Sequence, residues 1–588
     1  MSLANKRGIL SKGVIVIQQS IGKVIEWYAD NTPNALSVTR LGVEGIPVKA
    51  LTWHELESRT RILAQQMIKG GLRGKPVLIP EANEIDYIVA FLACNRAGVI
   101  AVTGYFPLAR DRSGRLEAII ADSKPKGILA RNSTIEKMRA IPKFQLDEIQ
   151  ALPTDVPGDI GHQEALPNIS PSEIALYQYT SGSTSNPKGV MVSHGNLIAN
   201  ITQMEKEFVS TTGSSCVTWL PLFHDMGLLG LSMTSLLTGV TLHLMSPDEF
   251  VMQPIRWLKA ISNNRAKISG GPNFAYDLCV DRIPPDLRKN IDLSSWEVAI
   301  NGAEVINVNT IRRFTDAFAP CGFAASSMQP CYGLAESTLV VSAQKMGEPV
   351  SYRRVSVHDL EQGKIRVADS TEPNFREVVS SGTVIDDHKI LIVNPATEEL
   401  CADDQIGEIC VCGPSVAQGY NGMRVDASEI FVENICDQNG IWLRTGDLGG
   451  LIDGELFVLG RCKDLIIVGG ANHHPHDIER SVESADVSIS AGGCAAFSVL
   501  NFDGGAQEKV VIAIEVDRQL FVKIRKDHYA YEEASQKMLA AIQKIVSSAH
   551  GIRVSDCVLL GPGALPRTTS GKIRRQECAR LWMAKEFR

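Results

Sequence analysis

Residues 77–102 read VLIPEANEIDYIVAFLACNRAGVIAV. This stretch predicts a strand at 77–79, a helix at about 85–96 and, after Gly98, a second apolar strand at 99–102. A strand, a helix and another strand in this order are typical of a doubly wound, largely parallel sheet. The predicted fold class is therefore α/β.

The same alternation extends to both sides of this stretch. Upstream, Thr52 and Glu55 form a capping-box pattern for a helix that Gly70 and Gly71 end. Downstream, buried strands are predicted at 217–220, 240–244 and 298–300. From about 378 the pattern changes to short strands between Gly, Asn and Asp turns, among them 389–393, 407–412, 456–458 and 465–468. This change predicts a β-rich subdomain.

The length of 588 residues exceeds what one hydrophobic core accommodates. We expect an N-terminal domain at 1–460 with several subdomains, a hinge at 461–464 and a small, mobile α+β domain at 465–588. A strand at 510–516 and an amphipathic helix at about 532–547 suit that last domain. The chain therefore has the length of a multidomain enzyme.

The composition excludes several classes of protein. Hydrophobic residues make up 44% and charged residues 21%, as in ordinary globular proteins. A net charge of −7 offers no general attraction for nucleic acid, so an anionic ligand needs a local site. The thirteen cysteines lack the spacing of a disulfide scaffold, and no signal peptide or membrane span is evident. We expect a cytoplasmic protein.

Residues 180–189 read TSGSTSNPKG and lie between predicted strands at 174–179 and 190–192. Glycines and small hydroxyl residues allow backbone N–H groups to converge on phosphate oxygens, and Lys188 adds a positive charge. The alternative is a flexible hairpin tip. A Walker loop does not fit, because Lys188 precedes its glycine and Gly571-Lys572 is followed by Ile573.

Residues 179–189 resemble the phosphate loop of the adenylate-forming superfamily, which includes acyl-CoA synthetases and peptide-synthetase adenylation domains. Further strings follow in that superfamily's order: NGAE at 301–304, YGLAE at 332–336, RTGD at 444–447, GRCKD at 460–464 and LPRTTSGK at 565–572. Within the superfamily, residues 271–279, 413–420 and 463–479 are most similar to fatty acyl-AMP ligases. Ala471 departs from that pattern, which has a basic residue there.

The resemblance implies ATP and Mg²⁺ as cofactors and assigns residues to them. It implies phosphate binding by Lys188 and the loop before it, adenine contacts from Tyr332 and the 301–303 backbone, ribose binding by Asp447, and ribose or phosphate binding by Arg461. Thr184 and Glu336 would hold Mg²⁺, whose preferred ligands are oxygens. The full nucleotide set is Thr180, Ser181, Gly182, Ser183, Thr184, Lys188, Asn301, Gly302, Ala303, Tyr332, Gly333, Leu334, Asp447 and Arg461.

Two residues are the candidate catalytic groups. By resemblance, Lys572 is carried into the site by the C-terminal domain and stabilises charge on the α-phosphate, and His224 lies where the carboxylate meets that phosphate. The alternatives are a solvent-exposed lysine and a histidine that packs before an apolar helix. The apolar segment after His224 would lie beside an acyl tunnel, although a buried helix would have the same sequence.

A polar stretch at about 345–377 resembles the insertion of acyl-AMP ligases, which is associated with restricted rotation of the C-terminal domain. The resemblance to acyl-AMP ligases implies activation of a medium- or long-chain fatty acid to acyl-AMP, with transfer to the phosphopantetheine thiol of an acyl carrier protein or carrier domain. A surface loop with strands at 355–357 and 365–367 is the alternative for the stretch. An acyl-CoA synthetase and an inactive nucleotide-binding scaffold are the alternatives for function. The basic tail around residues 572–588 could contact an acidic carrier protein or simply be a solvated helix.

Overall fold

A computed structural model describes residues 20–106, 114–144, 146, 148–155, 165–180, 187–209, 214–422, 427–468, 470–483, 485–486, 488–501, 507–568 and 571–587. None of the helices in these ranges has the length and apolar character needed to cross a membrane.

A six-stranded sheet contains the two strands of the 77–102 stretch. In spatial order its strands are β6 (Gln150–Pro153), β5 (Gly127–Ala130), β3 (Pro76–Ile79), β4 (Ile100–Thr103), β7 (Ile174–Tyr179) and β8 (Gly189–Ser193). All pairs are parallel except β7 with β8. The strand, helix and strand predicted at 77–102 are confirmed to within one residue at each end, and Gly98 ends the helix with φ 66°.

A fourteen-stranded sheet forms the second layer. In spatial order its strands are β18 (Lys389–Val393), β19 (Gly407–Cys412), β21 (Gln438–Ile452), β22 (Glu455–Arg461), β17 (Thr383–Val384), β14 (Val340–Ala343), β13 (Met328–Gly333), β12 (Val298–Asn301), β11 (Ile268–Gly271), β9 (Ser215–Thr218), β10 (Thr241–Leu244), β1 (Leu36–Leu41) and β2 (Pro47–Thr52), with β20 (Phe431–Ile435) beside β21. The strands from β13 to β1 run parallel. The β-rich part is continuous with them, because β14 pairs antiparallel with β13.

One predicted strand is shifted. The strand expected at 217–220 ends at Thr218, because the Thr218 hydroxyl accepts the Leu220 N–H at 3.2 Å and Asn83 donates to the Leu220 carbonyl at 2.6 Å. These side-chain bonds take the backbone out of the ladder.

The helices pack on both faces of the sheets. In chain order they are α1 (Ile21–Asn31), α2 (Trp53–Lys69), α3 (Ile85–Ala97), α4 (Arg115–Ser123), α5 (Asn132–Arg139), α6 (His194–Phe208), α7 (Thr234–Leu237), α8 (Pro247–Met252), α9 (Ile255–Asn263), α10 (Asn273–Arg282), α11 (Pro285–Arg288), α12 (Val308–Phe318), α13 (Val357–Glu361), α14 (Ala427–Ile430), α15 (Pro475–Glu483), α16 (Arg518–Ile524), α17 (His528–His550) and α18 (Arg575–Met583), with a π-helix at Met226–Met233. The capping box predicted at Thr52 and Glu55 is present at the start of α2.

Residues beyond Asp464 build separate sheets. β25 (Ile489–Asn501), β26 (Gln507–Val516) and β27 (Val554–Leu560) form one sheet, and β23 (Ile466–Val468) and β24 (Ala471–His473) form a hairpin. Apolar side chains from β25, β26 and α17 form a cluster distinct from the main core. Asp527 caps the start of α17 and Gly551, with φ 66°, ends it, so that helix is longer at both ends than the predicted 532–547.

The stretch at 345–377 contains a hairpin of β15 (Tyr352–Ser356) and β16 (Phe375–Val379), with α13 between the two strands. The strand predicted at 365–367 is wrong, since Val367 makes only an isolated bridge to Val355. Ile365 instead turns inward and packs with Phe457 and Leu459. The second strand of the hairpin, β16, therefore begins ten residues later than the expected strand at 365–367.

Candidate active site

Tyr332 at the end of β13 meets Asp447 on β21 and Arg461 on β22, and β21 and β22 are neighbouring strands. The Tyr332 hydroxyl donates to Asp447 Oδ2 at 2.8 Å, and Arg461 Nε lies 3.1 Å from Oδ1. Asp447 is buried, whereas about half of the Arg461 side chain is exposed. The negative charge of Asp447 raises the pKa of Arg461, and burial together with Asp447 raises the pKa of Tyr332 well above its usual value. The three side chains form a charged edge that faces solvent through Arg461.

The RTGD string holds Asp447 in place through its own hydrogen bonds. Gly446 has φ 71°, a conformation that favours glycine. Thr445 Oγ1 accepts the Asp447 N–H at 3.1 Å and donates to the Ile409 carbonyl at 2.7 Å. Glu408 accepts the Gly446 N–H at 2.9 Å and also pairs with Arg444. The turn is thus tied to β19, and the position of the Asp447 carboxylate follows from it.

Close backbone packing shapes the neighbouring strings. A Cβ on Gly302 would lie 2.9 Å from Cys331 Sγ, and one on Gly333 would lie 1.9 Å from the Leu339 carbonyl oxygen. Ala303 has φ 74°, which is uncommon for a residue with a side chain. Strained backbone of this kind is concentrated at functional sites.

The other two predicted nucleotide contacts in these strings lie beside those glycines. Asn301 ends β12 and is fully buried, and its Nδ2 lies 3.3 Å from Asn273 Oδ1. Leu334 donates its N–H to the Leu339 carbonyl at 2.9 Å. Both therefore belong to the same tightly packed backbone.

Glu336 lies near Arg461 and is bonded to Tyr420, whose ring faces Lys188. Tyr420 donates to Glu336 Oε1 at 2.8 Å, and Lys188 Nζ lies 5.2 Å from the centre of the Tyr420 ring. Burial raises the pKa of Glu336 despite the Tyr420 hydrogen bond and the nearby Arg461. A cation at this carboxylate would relieve that cost, so its chemistry fits an oxygen-liganded Mg²⁺.

The phosphate loop is described at its two ends only. Thr180 donates its N–H to the Lys188 carbonyl at 3.3 Å, which closes the loop. The predicted phosphate ligands Ser181, Gly182, Ser183 and Thr184 lie outside the described residues.

His224 and Asp225 form a dyad before the π-helix. His224 Nδ1 lies 2.8 Å from Asp225 Oδ1, which also accepts the Met226 N–H at 2.7 Å. Burial alone would raise the pKa of Asp225, but His224 and then Lys572 outweigh it, and the pKa is lowered. The carboxylate is thus ionised and orients His224 Nδ1. The Leu- and Met-rich segment that follows is a fully buried π-helix in the main core.

Lys572 reaches this site from the C-terminal region. A turn holds it, in which Thr568 Oγ1 accepts the Lys572 N–H at 3.1 Å and Gly571 has φ 87°. Burial and the charge of Arg461 lower the pKa of Lys572, while three carboxylates oppose that change, those of Asp225, Asp447 and Glu304. The C-terminal cation therefore faces the residues that the N-terminal strings supply.

Three residues that contribute to this geometry were not assigned a role from the sequence. Asp225, Glu304 and Tyr420 all lie inside or beside the recognised strings, but each string contains other polar residues, and nothing in the sequence distinguishes them. His473 and His474 are buried and His476 is partly buried. No group of three or more His, Cys, Asp or Glu side chains in the described ranges is arranged to hold a metal ion.

Comparisons with known proteins identify the family of the chain. The family model for the AMP-binding enzyme matches residues 25–421, and a model for the AMP domain of Disco-interacting protein 2-like proteins matches residues 463–588. A medium-chain-fatty-acid–[acyl-carrier-protein] ligase of Moorena producens is 37% identical over 90% of this chain and 89% of its own length. A long-chain-fatty-acid–AMP ligase of Mycobacterium marinum is 35% identical over 97% and 98%.

A solved structure has the same fold. The fatty acyl-adenylate ligase of L. pneumophila, in complex with acyl adenylate and pyrophosphate, is 35% identical with a TM-score of 0.74, over 96% of each chain. The predicted α/β class, with doubly wound sheets and a β-rich part, is thereby confirmed.

Proposed function

Since this chain belongs to the AMP-binding enzyme family and, within it, to the fatty acyl-AMP ligases, we infer that it joins a fatty acid to the AMP portion of ATP and releases pyrophosphate. The observation that carries this function is the position of Lys572 opposite His224–Asp225 and Asp447–Arg461. The reaction brings two anions together, the fatty acid carboxylate and ATP. Lys572 and Arg461 supply positive charge for them, and Asp447 supplies a carboxylate for the ribose hydroxyls.

The chemistry is an in-line displacement. A carboxylate oxygen of the fatty acid attacks the α-phosphorus of ATP, a new P–O bond forms, and the bond to the bridging oxygen of pyrophosphate breaks. Lys572 stabilises the charge that develops on the α-phosphate, and His224, oriented by Asp225, binds the attacking carboxylate. Glu336, with Thr184, would hold Mg²⁺, which neutralises phosphate charge when bound.

Asp447 and Tyr332 bind the nucleoside in this proposal. Asp447 is already in place as an acceptor, because Tyr332 donates to one of its oxygens and Arg461 forms an ion pair with the other. Ribose hydroxyls would join or replace these donors, and the Tyr332 ring together with the backbone at 301–303 would contact adenine. Asn301, Gly302, Gly333 and Leu334 contribute through close backbone packing.

Asp447→Asn is expected to raise the KM for ATP on the order of tenfold, because hydrogen bonds to a charged group contribute about 1.5–3 kcal/mol. Pyrophosphate release measured against ATP concentration checks this. Asp403→Asn, an exposed carboxylate, is the matched control and should leave KM unchanged. An unchanged KM in Asp447→Asn would remove Asp447 from the nucleoside site.

The domain division is part of the proposal. Residues 465–588 act as a lid that moves about residues 461–464 and carries Lys572 in and out. The separate sheets and apolar cluster beyond Asp464 support it, as does the second family model, which begins at 463.

The insertion keeps the product as acyl-AMP for a carrier protein rather than for CoA. Arg376 on β16 is buried and lies 2.7 Å from Asp477 on the lid, and Glu361 lies 4.0 Å from His473. On the other side, Arg312 on α12 makes two bonds of 2.6 and 2.9 Å to Glu377. The hairpin of β15 and β16 thus connects the lid to the N-terminal part, and it would oppose rotation of the lid into a geometry suited to CoA.

With ATP, Mg²⁺, a series of fatty acids and CoA, the wild-type chain is expected to form acyl-AMP with at most trace acyl-CoA. Arg376→Ala should increase acyl-CoA, because it breaks the contact between insertion and lid. Arg353→Ala is the matched control, since Arg353 pairs within the N-terminal part. Product analysis by mass spectrometry decides between the alternatives: efficient acyl-CoA synthesis by the wild-type chain would establish the CoA synthetase instead.

A further inference from the structure

Glu304 lies at the point where the lid contacts the N-terminal part of the chain. Burial raises its pKa, while Lys572 and the backbone N–H groups of Asn273 and Phe274 lower it. Its Oε1 atom is buried and has no hydrogen-bond partner among the residues that the structure describes. One carboxylate oxygen of Glu304 is thus available to a further partner.

A second contact joins the same two segments. A Cβ placed on Gly571 would lie 3.5 Å from the Phe274 ring, so the Gly571–Lys572 turn rests against the start of α10. Phe274 is also one of the two residues whose N–H groups face Glu304. The Phe274 ring therefore packs against Gly571 of the lid turn, and the Glu304 carboxylate lies close enough to the next residue, Lys572, for the two charges to interact.

The other carboxylates near Lys572 already have partners. Asp225 accepts from His224 and Met226, and Asp447 accepts from Tyr332 and pairs with Arg461. In the proposed function both are also engaged by substrate, one through His224 and the other through the ribose. This leaves Glu304 as the carboxylate whose available partner is the lid.

We propose that Glu304 is a positioning residue that receives the Lys572 ammonium when the lid closes and holds it where the α-phosphate reacts. The inference rests on the proposed function and adds to it a receptor on the N-terminal part for the catalytic cation. Glu304 does not touch the reacting atoms, and it acts only through Lys572.

The charged groups near Lys572 determine whether a substitution raises or lowers its pKa. They are Arg461, which favours the neutral amine, and Asp225, Asp447 and Glu304, which favour the ammonium. Glu304→Gln removes one favourable charge, so the pKa of Lys572 falls. If the substitution instead only loosened the lid, Lys572 would become solvated and its pKa would rise, because burial is the main cause that lowers it.

The test is competitive labelling of lysines with trace acetic anhydride across a pH series, read for Lys572 by peptide mass spectrometry. Glu304→Gln is expected to move the Lys572 titration to lower pH, and Glu348→Gln, an exposed carboxylate, is the control that should not. Pyrophosphate release in Glu304→Gln should fall on the order of tenfold, in the range found for residues in contact.

The outcomes separate the two claims. An unchanged or higher Lys572 titration in Glu304→Gln would overturn this role for Glu304, whatever the activity. A wild-type chain that makes no acyl-AMP from any fatty acid would overturn the proposed function, and the labelling result would still show whether Glu304 and Lys572 interact.

Discussion

Lys572→Ala is expected to lower the rate of acyl-AMP formation by about 10²- to 10³-fold while ATP affinity changes by less than about threefold. The structure supplies the reason: Lys572 is the cation that the C-terminal region contributes to the site, and Arg461 is already paired with Asp447. Loss of a preorganised charge at the reacting phosphate raises the barrier by about 3–4 kcal/mol and leaves nucleoside contacts intact.

Pyrophosphate release under saturating fatty acid measures the rate, and equilibrium dialysis with ATP measures the affinity. Lys544→Ala is the matched control, since Lys544 is an exposed lysine on α17 of the same region. Near-normal pyrophosphate release in Lys572→Ala would assign the catalytic cation to another residue. A parallel loss of ATP affinity would make Lys572 a binding group instead.

Arg575→Ala is expected to destabilise the C-terminal region by about 3–5 kcal/mol, the cost of leaving a buried charge without its partner. Arg575 donates from Nε and Nη2 to the two oxygens of Glu479, each at 2.7 Å, and both side chains are only 8% exposed. Its Nη1 lies 3.4 Å from Asp464 at the proposed hinge. One guanidinium thus joins α18, α15 and the hinge, three residues after Lys572.

Amide hydrogen exchange of β25 measures this effect, because Glu479 also accepts the Ala496 N–H at 2.9 Å. Arg580→Ala is the control: it lies on the same helix in an exposed pair with Glu577, where about 0.5 kcal/mol or less is expected. Equal protection of β25 in Arg575→Ala and wild type would show that the region is held by its apolar cluster alone. The expected loss of pyrophosphate release should follow the fraction of unfolded lid.

Three of the basic residues in the tail that the sequence offered as a carrier contact have other partners in the fold. Lys572 faces the active site, Arg575 is buried against Glu479, and Arg580 pairs with Glu577 and Glu586. Residue 588 lies outside the described residues. The paired charges favour a structural role for α18 over a carrier-binding one.

The amino-acid sequence alone was sufficient to predict the local elements and the family to which the chain belongs. The capping box at Thr52, the αL glycine at 98 and the apolar strands at 76–79 and 100–103 depend on neighbours a few residues away, so short-range physics specifies them. The turn at 444–447 is local in the same sense, because Gly446 has φ 71° and Thr445 Oγ1 accepts the Asp447 N–H.

How distant segments combine depends on long-range packing. Asp447 is bonded to Tyr332 and paired with Arg461, Arg376 pairs with Asp477, and Lys572 lies near Glu304. The residues of these pairs are roughly 14 to 270 positions apart, so no local pattern encodes them. The second strand of the insertion was placed too early in the sequence, because the apolar side chain of Ile365 packs against a remote residue, Phe457, and is not part of a strand. Local sequence patterns therefore indicate the elements and candidate side chains, whereas long-range packing determines which side chains pair with one another.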